Sequence, residues 1–157
     1  VCKIEMKYRV KKLDMDNKLK YLEMIQNIIE RMANNCFLLK GWSITLITVI
    51  FALSDQTLKQ DYFLFAYIPV IVFWFLDSYY LQLERKYKVL YEIAIKKDIN
   101  EIDFDLSIDG ITYDKLNLKK VRIISCICSR SEVFFYIPII IIMTIIFWER
   151  LSVFLGI

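Results

Sequence analysis

Two apolar runs, residues 36–53 and 62–80, are separated by a single short polar stretch, SDQTLKQD at residues 54–61, and each run carries one charged side chain, Lys40 in the first and Asp77 in the second. Apolar runs of this length joined so closely predict a transmembrane helical hairpin, because about 20 residues of helix cross the hydrocarbon core. With the turn centred near residue 58, position 40 on one limb returns opposite position 76 or 77 on the other. Lys40 and Asp77 are therefore expected to lie at one depth and to pair. An ionisable group in a span costs roughly 2.5 to 3.5 kcal/mol on insertion scales, which makes a partner or a wet path the usual resolution. Snorkelling of both side chains to a nearby boundary is a second reading, and a direct part in gating or conduction is a third.

A third apolar run, VFFYIPIIIIMTIIFW at residues 133–148, gives about 24 Å of helix at 1.5 Å per residue and reaches a full span only with its flanks, so a third transmembrane helix is expected over residues 133–157. Residues 1–35 contain no continuous apolar core and no secretory leader is expected there; no function is attached to residues 1–14. Of the 21 lysines and arginines, nine precede residue 41, ten lie between residues 81 and 132, and only Lys59 and Arg150 lie elsewhere. The positive-inside rule then sets the N-terminus and residues 81–132 in the cytoplasm, with the turn and the C-terminus outside a bacterial inner membrane. Trp42 and Trp74 near one boundary and Trp148 near the other fit aromatic belts.

Both limbs of the hairpin continue as amphipathic helices. Leu22, Ile25, Ile29, Met32 and Cys36 recur at spacings of three and four, as do Tyr80, Leu83, Tyr87, Leu90 and Ala94, so the two stripes are expected to pack as an antiparallel cytoplasmic stalk. Glu84 and Lys88 fit an exposed i,i+4 pair. In the first span Gly41, Thr45, Thr48 and Ala52 share a face, which suits either close helix packing in lipid or the wall of a pore. Pro69 and Pro138 interrupt apolar runs and permit kinks.

Residues 98–114 are acidic, with Asp98, Glu101, Asp103, Asp105, Asp109 and Asp114 and no lysine or arginine, and the alternation around Ile102, Phe104 and Leu106 predicts a small hairpin or an extended surface segment. Counted from Asp103 as the first position, a calcium loop would need glycine where Ile108 stands and glutamate where Asp114 stands. Residues 121–128 form a short apolar stretch suited to the membrane interface before the last span.

Composition narrows the function classes. The chain is 57% hydrophobic with three glycines, well above the apolar share of a soluble domain and short of the glycine that phosphate loops use. It has no histidine, which removes the commonest general base and metal ligand. Cys2, Cys36, Cys126 and Cys128 lack zinc-site spacing. An enzyme is not expected, nor is a cofactor or metal. The fold class expected is an all-α membrane protein: a cytoplasmic amphipathic helix over residues 1–35, a hairpin over residues 36–80, a cytoplasmic helix and acidic segment over residues 81–132, and a third span.

The blocks RMANNCFLLKGWS at residues 31–43 and FWFLDSYYLQLER at residues 73–85 resemble a family of small bacterial membrane proteins frequent in mobile or defence-associated gene neighbourhoods. More loosely, a helix, two spans and a helical extension resemble the SLATT-type two-span effectors paired with nucleotidyltransferases in antiphage systems, and the membrane effector of Hailong-type systems. This chain departs from the two-span plan by its third span. The resemblance implies a homo-oligomeric pore or ion channel that an oligonucleotide signal from a partner enzyme opens, with Arg85, Lys86 and Lys88 as first candidates for contacting that anion. Three spans are too few to enclose an aqueous pore, so conduction requires several subunits. The competing reading is a non-conducting membrane anchor that recruits a soluble partner through the stalk or the acidic loop.

Overall fold

Helix α1 spans Cys2–Ser54 without a break, over 53 residues that hold no proline and one glycine. At 1.5 Å per residue it is about 80 Å long, more than twice the hydrocarbon thickness, so only part of it fits in a bilayer. The computed structural model describes residues 2–54, 66–99, 102–109, 111 and 121–155, and among these the regular elements are all helical. After α1 come α2 (Tyr67–Lys96), the short α3 (Ile123–Ile127) and α4 (Arg130–Leu155). Residues 55–61 of the expected turn, and the first residues of the second apolar run, lie outside the described residues. Two helices are long and apolar enough to cross a membrane, within Lys12–Ala52 and Arg130–Trp148; α2 does not reach that measure over its described residues.

The chain divides into two compact units, one of Val1–Ala33 with Gln82–Val121 and the other of Asn34–Leu81 with Arg122–Ile157. In the first unit α1 and the later part of α2 bury Tyr21, Ile25 and Ala94, with Leu22, Ile29, Tyr87, Leu90 and Tyr91 packed around them. These are the stripes that the spacing of three and four puts on facing sides of two helices. Lys18 closes the end of α2, its ammonium donating to the carbonyls of Ile95 at 2.9 Å and Lys97 at 2.7 Å, two acceptors that a helix C-terminus leaves open. Glu84 and Lys88 form the i,i+4 pair on this part of α2.

Residues 102–109 take no β-pairing among the described residues and run as a segment bonded to itself, while most of the far limb of the expected hairpin, residues 112–113, lies outside the described residues. The reason is local: the Asp103 carboxylate accepts from the Asp105 amide at 3.3 Å, Asp105 from Ser107 at 2.8 Å, and the Ser107 hydroxyl oxygen from Asp109 at 3.3 Å. Acceptors at alternate positions thus capture the amides a strand partner would need. The Asp105 amide first, and then its own amide, hold the Asp103 carboxyl below the usual range, with Lys97 at 3.5 Å adding to the effect. Ile102 and Leu106 pack on the Tyr21 cluster, and the Tyr21 hydroxyl donates to the Asp105 carbonyl. Phe104 adopts φ of 53°, a left-handed conformation that bulky residues avoid, and sets its ring edge-on to Tyr21 at 5.6 Å between centroids.

The second unit packs the later part of α1, the first half of α2, and α3 and α4 around Ile47, Ala66, Val70, Tyr136 and Met143. Its inner stripe on α1 is Cys36, Lys40, Ser43 and Ile47, at spacings of four, three and four. Pro69 is the third residue of α2, in the first turn where no intrahelical amide bond is required, so it starts the helix and kinks nothing. Pro138 does lie inside α4, leaving the carbonyl four residues earlier without its usual donor. Residues 121–128 contribute α3, whose Cys126 is buried. Trp74 also packs inward: it stacks on Tyr136 at 5.7 Å and donates its indole N–H to the Ile127 carbonyl at 3.3 Å, whereas Trp42 and Trp148 are exposed.

Candidate functional site: a buried charge cluster

The second unit buries charged and polar side chains beside its apolar core and exposes large apolar ones. Ser43, Asp77, Ser78 and Glu132 are buried to 1% exposure or less, while Phe37, Ile71, Phe134 and Trp148 stand 60% exposed or more. A domain in water sorts its side chains the other way, since exposed apolar area and buried charge both cost free energy there.

Lys40 and Asp77 are brought together. The ammonium donates to Asp77 Oδ2 and, at 3.0 Å, to Glu132 Oε1 from the first turn of α4. Tyr136, one turn after Glu132, donates its hydroxyl to the same Asp77 oxygen at 3.2 Å, and the Cys36 thiol donates to the Asp77 carbonyl at 3.7 Å. Phe135 lies under the ammonium, its centroid 5.7 Å from Nζ, and meets Tyr136 edge-on at 4.9 Å. The cluster thus ties three helices at one point, with donors and acceptors drawn from α1, α2 and α4. Asp77 Oδ1, Glu132 Oε2 and the hydroxyl oxygens of Ser43 and Ser78 are buried without a hydrogen-bond partner.

Glu132 is the member that hydropathy misses, because it stands one residue before the apolar run that begins at residue 133. Helical spacing could have found it: Glu132, Tyr136, Ile139 and Met143 fall at intervals of four, three and four, on a single face of α4.

Gly41, Thr45, Thr48 and Ala52 are all exposed. A β-carbon on Gly41 would meet nothing within 4 Å, and the two threonine hydroxyls donate to carbonyls of their own helix, Thr45 to Gly41 at 2.9 Å and Thr48 to Ile44 at 2.8 Å. The face is therefore not used for packing inside the described chain. The helix turns about 100° per residue, and the inner stripe at residues 36, 40, 43 and 47 leaves the small-residue stripe on the outside. Arg85, Lys86 and Lys88 fan over roughly 160° of α2 and so present no single face, and Lys88 is bound to Glu84.

Among the described residues no group of three histidine, cysteine or acidic side chains could hold a metal ion. The thiols of Cys36 and Cys126 are buried and that of Cys128 is exposed. No protein-family model matches the chain, and no characterised protein or solved structure is significantly similar to it.

Proposed function

We propose that this chain is an oligomeric membrane effector, a signal-gated pore or ion channel that depolarises the bacterial inner membrane in antiphage defence. The observation that carries the reading is the outward face of Gly41, Thr45, Thr48 and Ala52, a mildly polar strip along a helix apolar enough to span, which a single chain leaves uncovered. Small residues with internally satisfied hydroxyls allow a second helix to approach closely in lipid, and in a ring of subunits the same strip can line water. The buried charge cluster adds support, since ionisable groups inside membrane helices usually serve assembly or transport. The resemblance of residues 31–43 and 73–85 to defence-associated membrane proteins supplies the signal, a nucleotide or oligonucleotide from a partner nucleotidyltransferase. In this reading residues 36–53, 62–80 and 133–157 cross the membrane with the N-terminus in the cytoplasm, and Arg85, Lys86 and Lys88 on the cytoplasmic side meet the anion.

One feature favours the non-conducting anchor instead: Asp103, Asp105 and Asp109 are exposed on an ordered segment and offer an acidic surface to a basic partner. The two readings separate in a single experiment. Expression with the cognate signal should collapse the membrane potential and arrest growth, expression alone should be tolerated, and Thr45→Leu with Thr48→Leu should abolish the collapse without preventing membrane insertion. Reconstituted protein that oligomerises, binds the signal and passes no current would refute the channel and promote the anchor.

A further inference from the structure

The charges buried in the cluster do not balance. Lys40 brings one positive charge to the cluster; Asp77 and Glu132 bring two negative ones, and both carboxyl groups are buried to 1% exposure or less. Among the described residues the hydrogen bonds of the cluster bring no second cation: α1 faces it with Lys40 and the Cys36 thiol, α2 with Asp77, and α4 with Glu132 and the Tyr136 phenol. α3 buries only the Cys126 thiol. The first turn of α4 places partial positive charge near Glu132, which offsets a fraction of one charge at most.

Donors are short as well. Asp77 Oδ2 receives Lys40 and Tyr136, and Glu132 Oε1 receives Lys40, yet Asp77 Oδ1 and Glu132 Oε2 receive nothing. The two carboxyl groups are held against one ammonium, an arrangement in which two ionised carboxylates repel and have no hydrogen to share. A single hydrogen ion cures both defects, because it neutralises the surplus charge and turns one carboxyl oxygen into a donor toward the other. This is the reasoning that applies to any close carboxylate pair in a site of low dielectric.

We propose that the cluster of Lys40, Asp77 and Glu132 is a proton-binding site that holds one exchangeable proton between the two carboxyl groups when the unit is at rest. Losing that proton leaves a net negative charge buried among α1, α2 and α4 and loosens the point where the three helices are tied. The inference stands whether or not the protein conducts, since it concerns the charge balance within the buried cluster.

Infrared difference spectra of the full-length protein in detergent, titrated from about pH 5 to about pH 9, read the site directly. The stretch of a protonated carboxyl group should be present at neutral pH and disappear as the pH rises. Carbon-13 labelling of aspartate or glutamate in the wild-type chain should shift that band and assign it, with no substitution that risks misfolding. Glu132→Gln, which mimics the protonated form, should remove the band and keep the fold. Its unfolding equilibrium should lose most of the pH dependence seen in the wild type, where a proton held only by the folded state makes unfolding about tenfold more favourable for each pH unit of rise between the unfolded carboxylate range, near pH 4, and the pH at which the folded site loses its proton. A wild-type spectrum without a protonated-carboxyl band across this range would overturn the proposal. A band that neither label shifts, or that survives in both Glu132→Gln and Asp77→Asn, would overturn it too.

Discussion

Replacing Lys40 by methionine keeps much of the side-chain length and removes the one positive charge that two buried carboxylates share. Each loses a charge-assisted hydrogen bond, worth roughly 1.5 to 3 kcal/mol where it is well shielded. Lys40 keeps 20% of its side-chain exposure, so part of the interaction is screened by its surroundings. Removing one partner of a buried ion pair costs about 3 to 5 kcal/mol, and the screening places Lys40→Met near the lower end, about 3 kcal/mol. A simple pair would be restored by neutralising Asp77 as well. The geometry predicts otherwise: Lys40→Met with Asp77→Asn should recover only about half the loss, because Glu132 still lacks its donor, and adding Glu132→Gln should recover nearly all of it. Equilibrium unfolding in mixed detergent micelles measures each variant. A loss below about 0.5 kcal/mol for Lys40→Met, or full recovery by Asp77→Asn alone, would refute the three-membered cluster.

Other outcomes follow from the same contacts. Thr45→Leu and Thr48→Leu should change the stability of the single chain by less than about 0.5 kcal/mol, since both side chains are exposed and bond only their own helix; unfolding in dilute micelles checks this, and cross-linking at higher density reads any effect on assembly. Lys18→Met should free the carbonyls at the end of α2 and cost about 1 kcal/mol, seen as faster amide exchange at residues 93–97. Tyr21→Phe should cost a similar amount and release residues 102–109, read by the same exchange experiment. The Asp103 carboxyl is held below its ordinary value, so its bond to the Asp105 amide is fully present above the unfolded carboxylate range, near pH 4, and is lost as the pH falls through the lower folded value; Asp103→Asn should remove that acid dependence from the Asp105 amide signal.

Much of the helical layout is legible from spacing. Leu22, Ile25 and Ile29 on one helix and Tyr87, Leu90 and Ala94 on the other announce their facing stripes because intervals of three and four repeat the helical turn. The approach of Lys40 to Asp77 follows from two apolar runs folded about a short polar stretch. Glu132 is not visible this way, because a hydropathy scan sees where apolar runs begin and not which flanking charge the next helix turns inward. Spacing also tells that Gly41, Thr45, Thr48 and Ala52 share a face, but any face of a helix is a candidate for packing until its neighbours are placed. Pro69 likewise reads as an interruption until the start of α2 at Tyr67 puts it in a first turn.

What the sequence determines by itself is therefore the set of faces, since the period of a helix is fixed by backbone geometry and apolar residues recorded on that period can fall only on certain sides. It also determines that charges lie within or beside apolar runs. What only the tertiary structure decides is which faces turn inward and how many charges meet there. Lys40 has two buried carboxylate partners because α4 sets Glu132 beside it, a consequence of packing Tyr136 and Met143 into the same core as Ile47 and Val70. That packing is a long-range choice among helix faces of similar apolarity, made by shape and by the need to satisfy buried polar groups, and neither quantity is local in the chain.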